Sequence, residues 1–155
     1  MLKSIEGNFD NTEVHELLIK HFIELRSVSP KGSAHVLDIV GLKDPSIKFW
    51  SLWKEDNLIG SGALKFLDKE HGEFKSIRVS DKFRGQGNGS KVIEHLINEA
   101  RKLAIRRLSL ETGAGNFFLT ARKLFNSCGF EPCEPFSHYK SDINSVYMTM
   151  LISNK

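Results

Sequence analysis

Arg84-Gly85-Gln86-Gly87-Asn88-Gly89-Ser90 sets three glycines at alternate positions beside a guanidinium, and an amphipathic helical pattern begins immediately behind them. With no Cβ over Gly85, Gly87 and Gly89, a ligand can approach the main chain and successive N–H groups can converge on one anion. The helix that follows adds its unpaired N–H groups and the positive end of its dipole. The chemistry this predicts is the holding of a phosphate. Spacing then excludes two common versions of such a loop. A Walker A loop ends in Gly-Lys-Ser/Thr, whereas Gly89 is followed by Ser90 and Lys91 in the reverse order. A dinucleotide fingerprint needs Gly-x-Gly-x-x-Gly, but counting from Gly85 lands on Ser90 and counting from Gly87 lands on Val92. What remains is Arg-x-x-Gly-x-Gly, with Arg84, Gly87 and Gly89 in register behind Ile77-Arg78-Val79.

Other chemistry-bearing residues give weaker signals. Cys128 and Cys133 have no His or Cys at zinc-ligand spacing, which points to reduced packing residues and no metal site. His15 and His21 fall on or near one helical pattern and read as structural or surface groups. The formal charge of +3 is mild and the basic residues are dispersed apart from Arg101-Lys102 and Arg106-Arg107, so no nucleic-acid partner is expected. No run approaches the roughly 18 apolar residues of a membrane helix, and the N-terminus lacks a signal peptide's apolar core. The expected setting is cytoplasmic, with no membrane partner.

The elements that must carry the loop follow from periodicity. At 155 residues, without repeats or linker-like runs, one domain over 1–155 is the simplest partition. Leu2 to Ile5 suits a short strand. Val14, Leu17, Leu18, His21, Phe22 and Leu25 recur at helical steps behind Asn11 or Thr12 as cap. Ser29-Pro30-Lys31-Gly32-Ser33 breaks that helix, and a second, shorter one is predicted over Ala34 to Val40, stopped by Gly41. Ile47 to Trp53, Leu58 to Leu67 and Glu73 to Val79 then read as three consecutive antiparallel strands. Trp50 and Trp53 point to opposite faces of the first of these, one into the core and the other toward an acceptor cleft. Behind the glycine loop, Val92, Ile93, Leu96, Ile97, Ala100 and Leu103 form one apolar helix face. Leu108 to Thr112 is a buried strand, Asn116 to Ser127 a helix closed by Gly129, and Phe130 to Cys133 and Val146 to Leu151 complete the chain.

This order, together with the Arg-x-x-Gly-x-Gly loop, resembles the GCN5-related N-acetyltransferases, the GNAT family. Leu110-Glu111-Thr112 and the run from Ala121 to Phe130, ending in Gly-Phe, resemble its later motifs. With Trp50 to Trp53 and Glu134-Pro135-Phe136, they are most similar to a bacterial branch of small acetyltransferases. The resemblance implies an α/β (α+β) GNAT fold, a mixed, mostly antiparallel sheet of six to seven strands flanked by four helices. It implies acetyl-CoA as acyl donor, no metal, direct transfer to a primary amine of a small molecule or peptide, and pairing through C-terminal strands into a homodimer. The segment Ser27 to Ser33 would border the acceptor. A longer acyl-CoA donor ranks lower.

Residue by residue, the resemblance assigns the main chain of Ile77, Arg78 and Val79 to the pantetheine arm, with the N–H of Val79 or Arg78 as oxyanion donor. Arg84, Gly85, Gln86, Gly87, Asn88, Gly89 and Ser90 would wrap the pyrophosphate, and Asn116, Phe118 and Arg122 would border CoA. An amine near pKa 10 must lose a proton before attack, and Glu73 and Glu111 are the candidate bases, acting through water. The departing thiolate needs a proton, yet the family's usual tyrosine position holds Phe125, and its frequent asparagine seven residues earlier is Phe118. Tyr139, in a loop rich in functional side chains, is the candidate substitute acid, while Tyr147 reads as packing. Phe125 also admits an alternative, a GNAT-fold module that binds CoA or acyl-CoA without catalysis.

Overall fold

The computed structural model describes residues 2–30 and 36–152. After β1 (Lys3–Glu6), the Asn11 side chain accepts the Val14 N–H at 3.1 Å and starts α1 (Thr12–Val28). Its buried residues Val14, Leu17, Leu18 and His21 follow the predicted helical spacing. The second helix departs from expectation. The prediction over Ala34 to Val40 falls partly on residues 31–35, outside those described; α2 is Ile39–Leu42, with Gly41 inside it. Asp38 explains the shift, because its carboxylate takes the Gly41 N–H at 2.8 Å and caps the helix there.

Strands β2 (Ile47–Lys54), β3 (Asn57–Phe66) and β4 (His71–Val79) lead to α3 (Asn88–Lys102), β5 (Arg107–Gly113), α4 (Leu119–Ser127), β6 (Glu131–Cys133) and β7 (Ser145–Leu151). The expected helix from Asn116 begins as one 3-10 turn, Asn116–Phe118, and α4 is closed by Gly129 at φ +110°. All seven strands share one sheet in the order β1-β2-β3-β4-β5-β7-β6. Every pair is antiparallel except β4 and β5, which the α3 crossover makes parallel. The mixed sheet and helices match the predicted fold class.

Each sheet face carries its own core. Val92, Ile93, Leu96, Ile97 and Ala100 of α3 pack with Phe125 of α4 on Trp50, Leu52, Leu64, Phe74 and Leu110. At about 1.5–3 kcal/mol per buried large aliphatic side chain, this face anchors the helix behind the glycine loop. On the opposite face, α1 and Leu42 cover Phe49, Trp53, Leu58 and Ala63. Trp50 and Trp53 do point to opposite faces, but both are core. Trp53 lies under α1 with its Nε1–H donated to Ser51 Oγ at 2.9 Å, so neither ring lines the cleft.

Two irregularities in β4 shape that cleft. First, β4 pairs with β5 only from His71 to Glu73, although β5 stays paired with β7 along its whole length. The two strands therefore part beyond Glu73. Second, Ala63 faces Lys75 while Ser61 faces Arg78, so Ser76 and Ile77 together oppose Gly62 alone. This is a β-bulge, with Ser76 at φ +54°. It exchanges the faces of β4: Phe74 before it, and Ile77 and Val79 after it, all reach the α3 side. Gly60 and Gly62 permit the arrangement, since a Cβ would run into the Arg78 carbonyl at the first and into Leu96 at the second.

Candidate active site

The loop at the end of β4 is built for backbone exposure. Gly85 and Gly87 lie at φ +76° and +77°, a region that disfavours side chains, and nothing fills the space a Cβ would take. Gly89 has a different reason: a Cβ there would come within 2.6 Å of Leu124, so its absence seats α3 against α4. The side chains of Asn88 and Gln86 donate to the carbonyls of Phe83 (2.9 Å) and Lys82 (3.4 Å), which ties the glycine loop to the 3-10 turn Asp81–Phe83 that follows β4. Ser90 sits in the first turn of α3. Arg84, half exposed, reaches Asp81 at 3.3 Å and Glu24 at 3.9 Å. Together these groups offer an anion the N-terminus of a 15-residue helix and a guanidinium beside it.

Where β4 and β5 part, a cavity of about 300 Å³ opens between α1, the two strands and the Asn116–Phe118 turn. Its floor is a hydrogen-bonded cluster. The Tyr139 hydroxyl donates to Glu73 Oε2 at 2.5 Å, and Lys75 Nζ lies 3.1 Å from both that oxygen and the Tyr139 hydroxyl. Glu73 is 1% exposed, and its Oε1 has no hydrogen-bond partner among the described residues. Burial, then the charge and hydrogen bond of Glu73, push the Tyr139 phenol well above its ordinary range. Phe136 packs edge-on to the Tyr139 ring at 5.1 Å, and the Tyr147 hydroxyl donates to the Lys140 carbonyl at 2.8 Å, securing the loop that delivers Tyr139. Glu111 lines the same cavity and accepts from Ser145 Oγ at 2.8 Å.

The flank formed by α1 is ionic. The Arg78 side chain, 4% exposed, pairs with Glu24 at 3.0 Å and Asp81 at 3.4 Å and lies 3.4 Å from His21 Nδ1. Lys20 also pairs with Asp81. Burial, followed by the Arg78 charge, lowers the His21 pKa to about 4, so its ring is neutral near pH 7. The hydrogen bond from Arg78 holds the Glu24 carboxyl below the usual carboxylate range. Val28, Ser29 and Pro30 line the cavity from the end of α1, while residues 31–33 of the expected acceptor segment lie outside the described residues.

Other expected residues are placed as follows. Asn116 and Phe118 line the cavity opposite α1, and the Phe118 ring fills the space over Gly113. Arg122 donates to the carbonyls of Gly113 (2.7 Å) and Gly115 (2.8 Å), which fixes the turn between β5 and α4. Phe125 faces the core, with its ring edge-on to Phe130 at 5.7 Å. Cys128 and Cys133 are free thiols whose pKa values burial raises, in keeping with packing roles.

The profile of the acetyltransferase (GNAT) family matches residues 11–130. The chain belongs to the GNAT family. It is 47% identical over 137 residues to the uncharacterized N-acetyltransferase YsnE of Bacillus subtilis, covering 88% of this chain and 91% of that one. To the uncharacterized N-acetyltransferase YedL of Escherichia coli it is 37% identical over 139 residues, covering 90% and 87%. The crystal structure of a Bacillus subtilis acetyltransferase in complex with CoA superposes with a TM-score of 0.72 at 19% identity, over 99% of this chain and 100% of that one. This GNAT enzyme is thus an N-acetyltransferase. Among its described residues no helix is long and apolar enough to cross a membrane.

Within this GNAT frame, three contributors escape a reading of the sequence. Gly60 and Gly62 stand inside an apolar strand pattern, the ordinary sign of a bulge or a close backbone approach. Lys75 shares strand parity with Glu73, which places both on one face of β4. Nothing local says that Tyr139 arrives beside them from 64 residues away.

Proposed function

We propose that this N-acetyltransferase moves the acetyl group of acetyl-CoA directly onto a primary amine of a small molecule or peptide, without a covalent enzyme intermediate. The observation that carries the reading is the parting of β4 and β5 at Glu73, which opens a cavity floored by a buried carboxylate and a phenol beside the strand that leads to the glycine loop. Arg84 to Ser90 hold the pyrophosphate, and the open edge of β4 pairs with the pantetheine arm through Ile77 to Val79. The Ser80 N–H bonds Ile59 on β3 at 2.8 Å, so strand alternation turns the Val79 N–H to the other edge, where β5 has left. That favours Val79 over Arg78 as oxyanion donor. Asn116 and Phe118 border the CoA arm, and Arg122 acts there through the turn it braces.

The amine enters between α1 and the Asn116–Phe118 turn and attacks the thioester carbonyl in its neutral form. Glu73 is the base for the proton the nitrogen sheds, with Glu111 holding the outer cavity wall, and Tyr139 supplies the proton to the departing thiolate. The free thiols of Cys128 and Cys133 suit a reducing, cytoplasmic setting.

The test is thiol release from acetyl-CoA by the purified chain, offered a panel of amino acids, amino sugars, polyamines and aromatic amines. Release that requires one amine class, with the N-acetylated product seen by mass spectrometry, supports the reading. No release with any primary amine, or release with an ester product, overturns it.

A further inference from the structure

Lys75 lies in the cavity floor with its Nζ 3.1 Å from Glu73 Oε2 and 3.1 Å from the Tyr139 hydroxyl, and 5.8 Å from the centre of the Tyr139 ring. Its side chain is 11% exposed and that of Glu73 1%, so this is a buried ion pair that also touches a phenol. Such a pair is a weak source of stability, because desolvation offsets much of the attraction. Packing alone does not account for a cation placed against two proton-bearing groups at once.

Resting on the function proposed above, the geometry points to Lys75 as the positioning residue of a closed proton relay, in which Tyr139 is re-protonated by Glu73 across their shared hydrogen bond. The acceptor ammonium first loses one proton to water. As the C–N bond forms, the nitrogen passes its next proton to Glu73. As the C–S bond breaks, Tyr139 gives its proton to the thiolate, and the proton on Glu73 then crosses their 2.5 Å hydrogen bond to the phenolate. Glu73 and Tyr139 end as they began, and the products are the amide and the free thiol.

Lys75 matters at two points of this cycle. Before attack its charge neutralises the Glu73 carboxylate, which would otherwise stand in a low-dielectric floor. After Glu73 has taken the proton, the anion that adds to burial in holding Tyr139 protonated is gone, and Lys75 is the cation left to stabilise the phenolate. The acid therefore becomes easier to ionise once the base has been used. Other ionisable groups facing the cluster are Glu111 on β5, Tyr147 on β7, His71 at the start of β4 and His138, whose ring stacks on Tyr139 at 4.8 Å. Lys75 lies within hydrogen-bond distance of both Glu73 and Tyr139.

The experiment compares the full chain with Lys75→Met, Lys75→Gln and Lys75→Arg, using acetyl-CoA and the best amine from the panel. Acetyl-CoA affinity by calorimetry should change by less than about twofold in all three, while kcat falls about ten- to a hundredfold in Lys75→Met and Lys75→Gln. The acidic limb of kcat/KM should move about one pH unit or more upward in those two variants and return toward the wild-type position in Lys75→Arg. A structural role alone would lower stability without moving that limb. If wild type turns over and both neutral variants keep kcat and the limb unchanged, or if Lys75→Arg is as impaired as Lys75→Gln, the relay is overturned and the function stands. If Lys75→Met does not fold, Lys75→Gln decides by the same readouts, and failure of wild type to turn over rejects the function and the relay together.

Discussion

The glycine loop and the cavity floor handle charge in opposite ways. At Arg84 to Ser90 the charged group is half exposed, its ion partners Asp81 and Glu24 are reachable by water, and the binding surface is main chain released by two left-handed glycines. At Glu73, Lys75 and Tyr139 the charges are buried, the partners are side chains, and each sits within 3.1 Å of the next. Screening makes the exposed ion pairs weak and exchangeable, which suits a site that must release its anion after each turnover. Burial makes the inner cluster sensitive to a single proton, which suits chemistry. The same strand connects them: β4 contributes Glu73 and Lys75 before its bulge, and the open edge leading to the loop after it.

If this division holds, changes in the two regions separate rate from affinity. The largest effect is expected for Glu73→Gln, which should lower kcat by about a hundredfold or more while the acetyl-CoA Kd moves less than about twofold. Steady-state thiol release and calorimetry on the same preparation check it, and equal losses in both would break the distinction. Next comes the junction. His21 lies on α1 against Arg78, and its folded pKa of about 4 stands below the usual 6.5 because burial disfavours the imidazolium. The unfolded chain therefore takes up the proton first as pH falls. The contribution of the neutral ring is intact above about pH 6.5 and is lost as pH falls toward 4, a difference of up to about 3 kcal/mol. Urea unfolding of wild type and His21→Phe at pH 7 and pH 4.5 should show this pH dependence in the former and a flatter one in the latter. The smallest effect belongs to Arg84→Ala. Acetyl-CoA affinity should fall about five- to tenfold, more at low salt than at high, with kcat at saturation unchanged and Tm shifted by less than about 2 °C.

The same contrast explains what could be read from the chain alone. The loop is contiguous, its glycine spacing is a local property, and Gly85 and Gly87 sit in the left-handed conformation that spacing implies. Gly89 looked alike in sequence and serves helix packing instead, because only the fold brings Leu124 over it. Helix α1 and the hairpins follow from periodicity, whereas α2 does not: Asp38 outcompetes a longer helix for the Gly41 N–H. Glu73 can be picked out as a carboxylate at a strand start and Tyr139 as a phenol in a loop rich in functional side chains. Their 2.5 Å contact spans 66 positions and depends on β4 leaving β5, a tertiary event with no local signature. Lys75 is invisible for the same reason, since a lone lysine two residues from a glutamate is usually a solvated strand face.

The most direct test of the central claim is calorimetric titration of the full chain with acetyl-CoA, followed in the same cell by thiol release on addition of the amine panel. We predict saturable binding at one site per chain that stays intact until an amine is supplied, and then turnover. Absence of binding would contradict the assignment of the glycine loop, and with it the separation between a region that holds the donor and a region that moves the proton.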